Sequence, residues 1–382
     1  MTMFKELKGL SIIDKSKRDN TYLLMNKDKL IAIFHIEGEL VFIDKILGAY
    51  PTWISSLEDF ISFRKAPKQR EHIQKLLKMC GCDNLKGYLD VSHGLSLTDT
   101  FWVKKCDSDL KWSDVNLYEN PFNEIIAKTA FDGGVYGLEL STTSPEFTTD
   151  GSFPKCWIRD NGEIKLVKSG TAGYANAGKE PYCEFYSSQI ARKISDKAIE
   201  YNLIKYGSKD VVSSICKLFT NESYGFVPYS YIGPLDRSFQ SVINRCTSMG
   251  YEYEINEMFV VDTITLNSDR HKNNFGFLFD NGSYEIINFA PLFDFNISLL
   301  CYAMEEDFKD IDSYIKSLNI GHTLGGKDFL EVGNYCKDKI DLQKIIKLKG
   351  FKFEKHRKYN LSDELLSGIE CKVNEHIDGL LK

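Results

Sequence analysis

Near the start of the chain, apolar residues come in short runs. Leu23-Leu24-Met25, Leu30-Ile31-Ala32-Ile33-Phe34 and Leu40-Val41-Phe42-Ile43 are separated by the turn formers Asn26-Lys27-Asp28 and Glu37-Gly38. Runs of this length and spacing predict a β-meander. From residue 55 the spacing becomes helical. Leu57, Phe60, Ile61 and Phe63 form one stripe, and Ile73, Leu76, Leu77 and Met79 form another after Pro67. Thr98 or Asp99 begins a turn before Phe101 and Trp102, whose expected role is aromatic packing, and Phe122 to Phe131 reads as a short helix.

Past residue 145 the pattern is that of strands again. A turn-rich stretch, Thr148 to Lys155, leads into a strand from Cys156 to Arg159. Asn161-Gly162 then closes a hairpin into Ile164 to Lys168. A Gly- and Ala-rich link, Ser169 to Lys179, precedes a helix from about Pro181. Its apolar stripe is Tyr182, Phe185, Tyr186, Ile190 and Ile194. Strands Ile199 to Lys205 and Val211 to Phe219 follow, turned at Gly207-Ser208. Helices are predicted over Leu235 to Cys246 and Asn256 to Leu266, and a hairpin lies between residues 267 and 296. The remainder reads as helical: Ile297 to Met304, Ile311 to Leu318, Phe329 to Cys336, Leu342 to Leu348 and Ser362 to Leu381.

Composition narrows the class. The 382 residues are 43% hydrophobic and 13% aromatic, enough for large cores. A net charge of −6 supplies no global basic field, so direct nucleic-acid binding is not expected. One local basic stretch holds Arg64, Lys65, Lys68, Arg70, Lys75 and Lys78; its ordinary reading is a solvated helix face rather than a partner site. The ten cysteines include no C-x-x-C pair and no zinc-like spacing. The polar start, Met1 to Glu6, does not look like a signal sequence, and no apolar run approaches a membrane span. The expectation is a cytoplasmic chain with reduced thiols and no membrane association.

The candidate chemistry lies between residues 267 and 296. Asp269 is followed five residues later by Asn274, and after the hairpin comes Asp294-Phe295-Asn296. Kinase catalytic loops use a D-x-x-x-x-N spacing, followed by a metal-binding Asp in a D-F-G. A base must reach the attacking hydroxyl, an amide oxygen must reach Mg²⁺ from the same loop, and a second carboxylate must approach the metal from the next strand turn. Asp269 is thus the candidate base, and Asn274 and Asp294 are the candidate metal ligands. The strand ending at Lys168 offers a phosphate-pairing lysine, with Lys165 on the opposite face as the rival. Glu184 in the following helix is the candidate partner of that lysine, and Glu180 the alternative. The run ending at Phe219 occupies the place of a hinge that would hold adenine through backbone groups. His271 is grouped with the cofactor contacts, although an imidazole bonded to the loop backbone is its ordinary role. The loop around Gly151, Ser152 and Lys155 stands where a phosphate loop would, yet matches neither the Walker A nor the G-x-G-x-x-G pattern.

The order Asp269-Arg270-His271, the reverse of H-R-D, together with Asn274 and Ala290-Pro291-Leu292-Phe293-Asp294, resembles the HipA-like Ser/Thr kinases of bacterial toxin–antitoxin systems. The resemblance covers about 150 to 335. It implies an α+β, two-lobed protein-kinase-like fold with an N-terminal mixed β/α extension and a mostly helical C-terminal lobe. The implied division is 1–145 for the extension, 146–222 for the ATP-binding lobe and 223–382 for the catalytic lobe. Within the implied phosphate loop, Gly151 and Lys155 match the family's Gly and Lys. Asp150 stands where the family carries a regulatory serine, which leaves Thr148, Thr149 and Ser152 as nearby acceptors. The resemblance selects Lys168 over Lys165. It implies ATP and Mg²⁺ as cofactors, a protein substrate, and a small helix-turn-helix antitoxin as partner. Residues 96–102, Ser-Leu-Thr-Asp-Thr-Phe-Trp, resemble a run that precedes such kinase domains, and Gly325-Gly326-Lys327 resembles a turn of the family. A pseudokinase that only binds nucleotide and a lipid kinase are the alternatives.

Overall fold

The structure is a computed structural model that describes residues 20–67, 72–82, 84–134, 143–208, 210–234, 238–324 and 328–382. Among these residues no disulfide forms, and no helix is long and apolar enough to cross a membrane. The chain divides into two compact units. One holds residues 1–152 with 221–225 and 281–284, and the other holds 153–220, 226–280 and 285–382.

The first unit is built on an antiparallel sheet of order β3-β2-β1-β4, with β1 Thr21–Asn26, β2 Lys29–Glu37, β3 Leu40–Ile46 and β4 Phe101–Lys105. All six residues of β1 are buried, which explains why its run is continuous rather than alternating. Helices α1 Leu57–Ser62, α2 Ile73–Met79, α3 Leu85–Ser92 and α4 Glu124–Asp132 complete the unit. Its core gathers Leu24, Phe34, Ile61, Leu76, Leu89, Val103 and Phe147.

Two elements of this unit were not predicted, and one residue departs from expectation. Phe101–Lys105 is a strand, because Trp102 pairs with Met25 and the indole donates to Lys27 O at 2.7 Å. Leu85–Ser92 is a helix capped by Asn84, whose side chain accepts the Gly87 N–H at 2.8 Å. Arg64 does not lie on a solvated face. It is buried in a two-pronged pair with Asp99, at 2.9 Å for both contacts, and also donates to Gly94 O and Phe101 O. Asp99 therefore gives the 96–102 run a structural role: it anchors a buried guanidinium and accepts the Phe101 N–H that opens β4. Lys75 donates to Gly133 O. Lys68, Arg70 and Gly325-Gly326-Lys327 lie outside the described residues.

The second unit contains a sheet of order β5-β6-β8-β7: β5 Lys155–Asp160, β6 Glu163–Ser169, β7 Tyr201–Tyr206 and β8 Val211–Lys217. All its pairings are antiparallel. Helix α5, Glu180–Ile194, packs against β6, β7 and β8. It buries Cys183, Glu184, Tyr186, Ile190, Ala191 and Ile194, whereas Tyr182 and Phe185 of the predicted stripe are only partly covered. A second, three-stranded sheet has the order β11-β10-β9, from β9 Tyr224–Pro228, β10 Gly276–Asp280 and β11 Ile286–Phe289.

The longer helices of this unit are α6 Phe239–Ser248, α7 Glu252–Thr265, α8 Ile311–Ser317, α9 Phe329–Cys336 and α10 Asp363–Leu380, and Leu342–Ile346 forms a shorter one. Every residue of α7 from Ile255 to Thr265 is buried, so this helix is the centre of the helical part. Close packing against it requires Gly333 on α9, where a Cβ would stand 2.6 Å from the Thr263 methyl. Ser362 caps α10 by accepting the Leu365 N–H at 3.2 Å. The predicted helix over Ile297 to Met304 does not form. Leu299 and Leu300 are left-handed, with φ of 51° and 56°, and the Leu299 N–H is taken by Thr265 O at 2.7 Å. Those apolar residues are buried as a turn folded onto the end of α7.

Candidate active site

The site lies within the second unit and starts from one ladder rung. Register places Lys155 opposite Lys168, Lys168 opposite Ser214, and Ser214 opposite Leu203. Cross-strand neighbours share a sheet face, so two lysines and a serine stand in a row. From that row Lys168 Nζ donates to Glu184 Oε1 at 2.5 Å and to Asp294 Oδ1 at 2.6 Å. The Ser214 hydroxyl donates to the other Glu184 oxygen. Lys165 turns instead to Asp160 at 2.7 Å and Glu163 at 3.4 Å, on its own hairpin. Glu180 likewise serves another purpose, accepting from the Thr171 hydroxyl at 2.6 Å and the Tyr302 hydroxyl at 3.3 Å.

The cluster is buried and charged. Burial pulls the Lys168 ammonium down, but Asp294 and Glu184 more than compensate and hold it protonated. Burial pushes the Glu184 carboxyl up, against the pull of Lys168. Burial acts the same way on Asp294, yet Lys168, Lys155 and Arg270 together hold its carboxyl below the usual range. Asp294 is thus held as an ionised carboxylate. Its backbone is left-handed, φ 61°, and its N–H is held by the Tyr201 hydroxyl at 3.1 Å. Among non-glycine residues, Asp is one of the few that enter this region readily.

The loop after α7 carries the rest. Asp269 is half-buried. Burial raises its carboxyl; His271 opposes that shift and the Asp294 charge adds to it. Asn274 donates its amide to Asp269 O at 3.0 Å, which leaves its side-chain oxygen as the group available to a cation. His271 Nδ1 accepts the Asn273 N–H at 3.2 Å, and the His271 carbonyl accepts the Asn274 N–H at 2.9 Å, so this residue braces the loop through both its ring and its backbone. Phe219 meets Phe226 and Phe293 with ring centroids 5.5 and 5.4 Å apart. Gly151 and Ser152 belong to the first unit, where Gly151 is left-handed, φ 91°, and its N–H donates to the Asp150 carboxylate.

Sequence reasoning missed the groups that hold these residues. Those groups are Asp262, Tyr201 and Ser214; Arg270, for which the motif left open a contact to Asp294, to a phosphate or a structural role, is fully buried against Asp262. One signal was present. Asp262 directly follows the apolar run Met258 to Val261, and a buried acid requires a partner. Among the described residues no three His, Cys, Asp or Glu side chains converge as a metal centre. The donors present are instead the Asn274 amide oxygen, the Asp294 carboxylate and, two residues on, a buried Asn296 oxygen without a hydrogen-bond partner. These are hard oxygen ligands of the kind that suit Mg²⁺ completed by phosphate and water.

No protein-family model matches this sequence, and no curated protein matches it either. Solved structures do. The fold is that of the HipA-like kinases. HipA of Shewanella oneidensis MR-1, solved in a complex with HipB and its operator DNA, aligns over 94% of this chain and 97% of its own. The TM-score is 0.51 and the identity 11%. The proinflammatory kinase CtkA of Helicobacter pylori aligns over 59% of this chain and 92% of its own, with a TM-score of 0.44 and 21% identity.

Proposed function

We propose that this chain is an ATP- and Mg²⁺-dependent kinase that transfers the γ-phosphoryl group to a Ser or Thr hydroxyl of a protein. The observation that carries the reading is the Lys168 ammonium held between Glu184 and Asp294, at 2.5 and 2.6 Å, beside a loop that presents Asp269 and Asn274. In this reading residues 146–222 and 223–382 act as the two lobes of the kinase. Glu184 orients Lys168 toward the phosphate oxygens, and Lys155 adds a second cation on the same sheet face. The Phe219, Phe226 and Phe293 rings give the adenine an apolar wall. Asn274 and Asp294 hold the metal. When bound, Mg²⁺ would neutralise charge on the β- and γ-phosphate oxygens.

Asp269 aligns the acceptor hydroxyl and takes its proton as the oxygen bonds to the γ-phosphorus. The bond from that phosphorus to the β,γ-bridging oxygen breaks, and ADP leaves. Positioning and charge neutralisation supply most of the rate. The fold shared with HipA adds a biological reading: a cytoplasmic toxin with a small DNA-binding antitoxin as partner.

The test is incubation with labelled ATP and Mg²⁺, followed by mass spectrometry of the chain and of a cell lysate. Phosphoserine or phosphothreonine that disappears in Asp269→Asn is the expected result. ATP binding without transfer would point to a pseudokinase, and label in lipid to a lipid kinase. Removing Mg²⁺ should weaken ATP binding; equal affinity with and without the metal would count against Asn274 and Asp294.

A further inference from the structure

Arg270 sits between the two chain segments that carry the proposed chemistry. Its side chain is fully buried. One edge of the guanidinium is pinned by Asp262 of α7, with Nε to Oδ2 and Nη2 to Oδ1 both at 3.0 Å. The remaining nitrogen, Nη1, donates to Asn274 O at 2.6 Å and to Phe293 O at 2.7 Å. Those two carbonyls belong to the two metal-ligand segments: Asn274 is one candidate ligand, and Phe293 immediately precedes the other, Asp294. The Phe295 ring lies under the guanidinium, 5.3 Å from its carbon.

Asp262 is itself held from two further directions. The Asn267 amide donates to its Oδ1 at 3.0 Å, and His322 Nε2 lies 3.4 Å from its Oδ2. Arg270 and His322 together hold the Asp262 carboxyl below the ordinary range, against burial, so the anchor is an ionised carboxylate. A planar, permanently charged fork fixed at one edge has no freedom left at the other.

We propose that Arg270, fixed by Asp262, is a positioning residue. It sets the spacing between the Asn274 loop and the Phe293–Asp294 segment, and so the geometry in which both side chains meet one Mg²⁺. The inference rests on the kinase reading above. It differs from a role in the fold alone because both acceptors of Nη1 lie at metal-ligand positions. Groups that orient metal ligands without touching the metal change affinity or activity by about 10–100-fold when altered.

The experiment compares wild type, Arg270→Lys and Asp262→Asn, each as the full chain. A fluorescent ATP analogue is titrated in EDTA and in Mg²⁺, kcat is measured with labelled ATP, and circular dichroism reports folding. Lysine preserves a cation opposite Asp262 but cannot span two carbonyls from a fixed plane. Arg270→Lys should keep its metal-free affinity, while the gain on adding Mg²⁺ and kcat each fall about tenfold or more. Asp262→Asn should show the same selective loss in smaller measure. Wild-type gain and kcat in either variant would overturn the proposal. So would loss of native circular dichroism in both variants, or an equal fall of affinity with and without Mg²⁺, since each marks a purely structural pair. A wild-type chain with neither Mg²⁺-dependent affinity nor transfer would sink the kinase reading itself, an outcome the variants cannot mimic.

Discussion

Lys168→Ala should be far more damaging than Lys165→Ala, three residues away on the same strand. The Lys168 side chain is 9% exposed and that of Glu184 1% exposed, so truncation strands a carboxylate away from water. Removing one partner of a buried pair costs about 3–5 kcal/mol. The Ser214 hydroxyl still bonds to Glu184, but Asp294 loses the same ammonium, so the expected loss stays within that range, about 3–5 kcal/mol. Lys165 faces acids that are 47% and 43% exposed, and surface pairs of that kind contribute about 0–1 kcal/mol. The two losses should also differ with pH. Burial already raises the Glu184 carboxyl, and without Lys168 nothing as strong opposes it. A folded-state value above the unfolded one stabilises at low pH, and that contribution is lost as pH rises through the folded value. The Lys168→Ala deficit should therefore be smallest in mild acid and grow toward neutral pH. Urea unfolding at a series of pH values measures it, using a probe in the second unit because two units need not unfold together. Equal midpoints for the two variants, or a deficit flat with pH, would refute the reasoning.

Further outcomes concern the loop and the first unit. Asp269→Asn should abolish transfer while nucleotide affinity and fold persist, and should relieve any growth inhibition seen on expression in a bacterial host; a variant that still transfers at the wild-type rate would remove Asp269 from its role. Because burial raises the Asp269 carboxyl, the acidic limb of kcat/KM should lie above the ordinary Asp value of about 3.9, with activity rising as Asp269 loses its proton. A limb at or below that value would contradict the assigned base. Arg64→Ala should destabilise the first unit by about 3–5 kcal/mol through the stranded Asp99, whereas a loss under about 1 kcal/mol would mean that Asp99 is hydrated after all.

What the sequence determined by itself was local. The Asn161-Gly162 turn could be read because both residues must take positive φ, and they do, at 50° and 81°. The meander, the hairpin into Lys168 and the spacing of Asp269, Asn274 and Asp294 are likewise set by neighbours along the chain. Alternation showed that Lys165 and Lys168 face opposite ways, but only the seating of α5 against β6 and β8 put Glu184 beside one of them. Arg64 looked like one charge in a solvated run, because its partner Asp99 lies 35 residues on. Leu299 and Leu300 read as helix because apolar residues suit one, but Thr265 O captures the Leu299 N–H and turns the backbone left-handed. Asp262 and Arg270 are eight residues apart and legible as charges. That their pair faces both Asn274 O and Phe293 O was decided when the two segments folded onto α7. Contacts between distant segments are selected by the burial of the whole core, and no window of neighbouring residues contains that information.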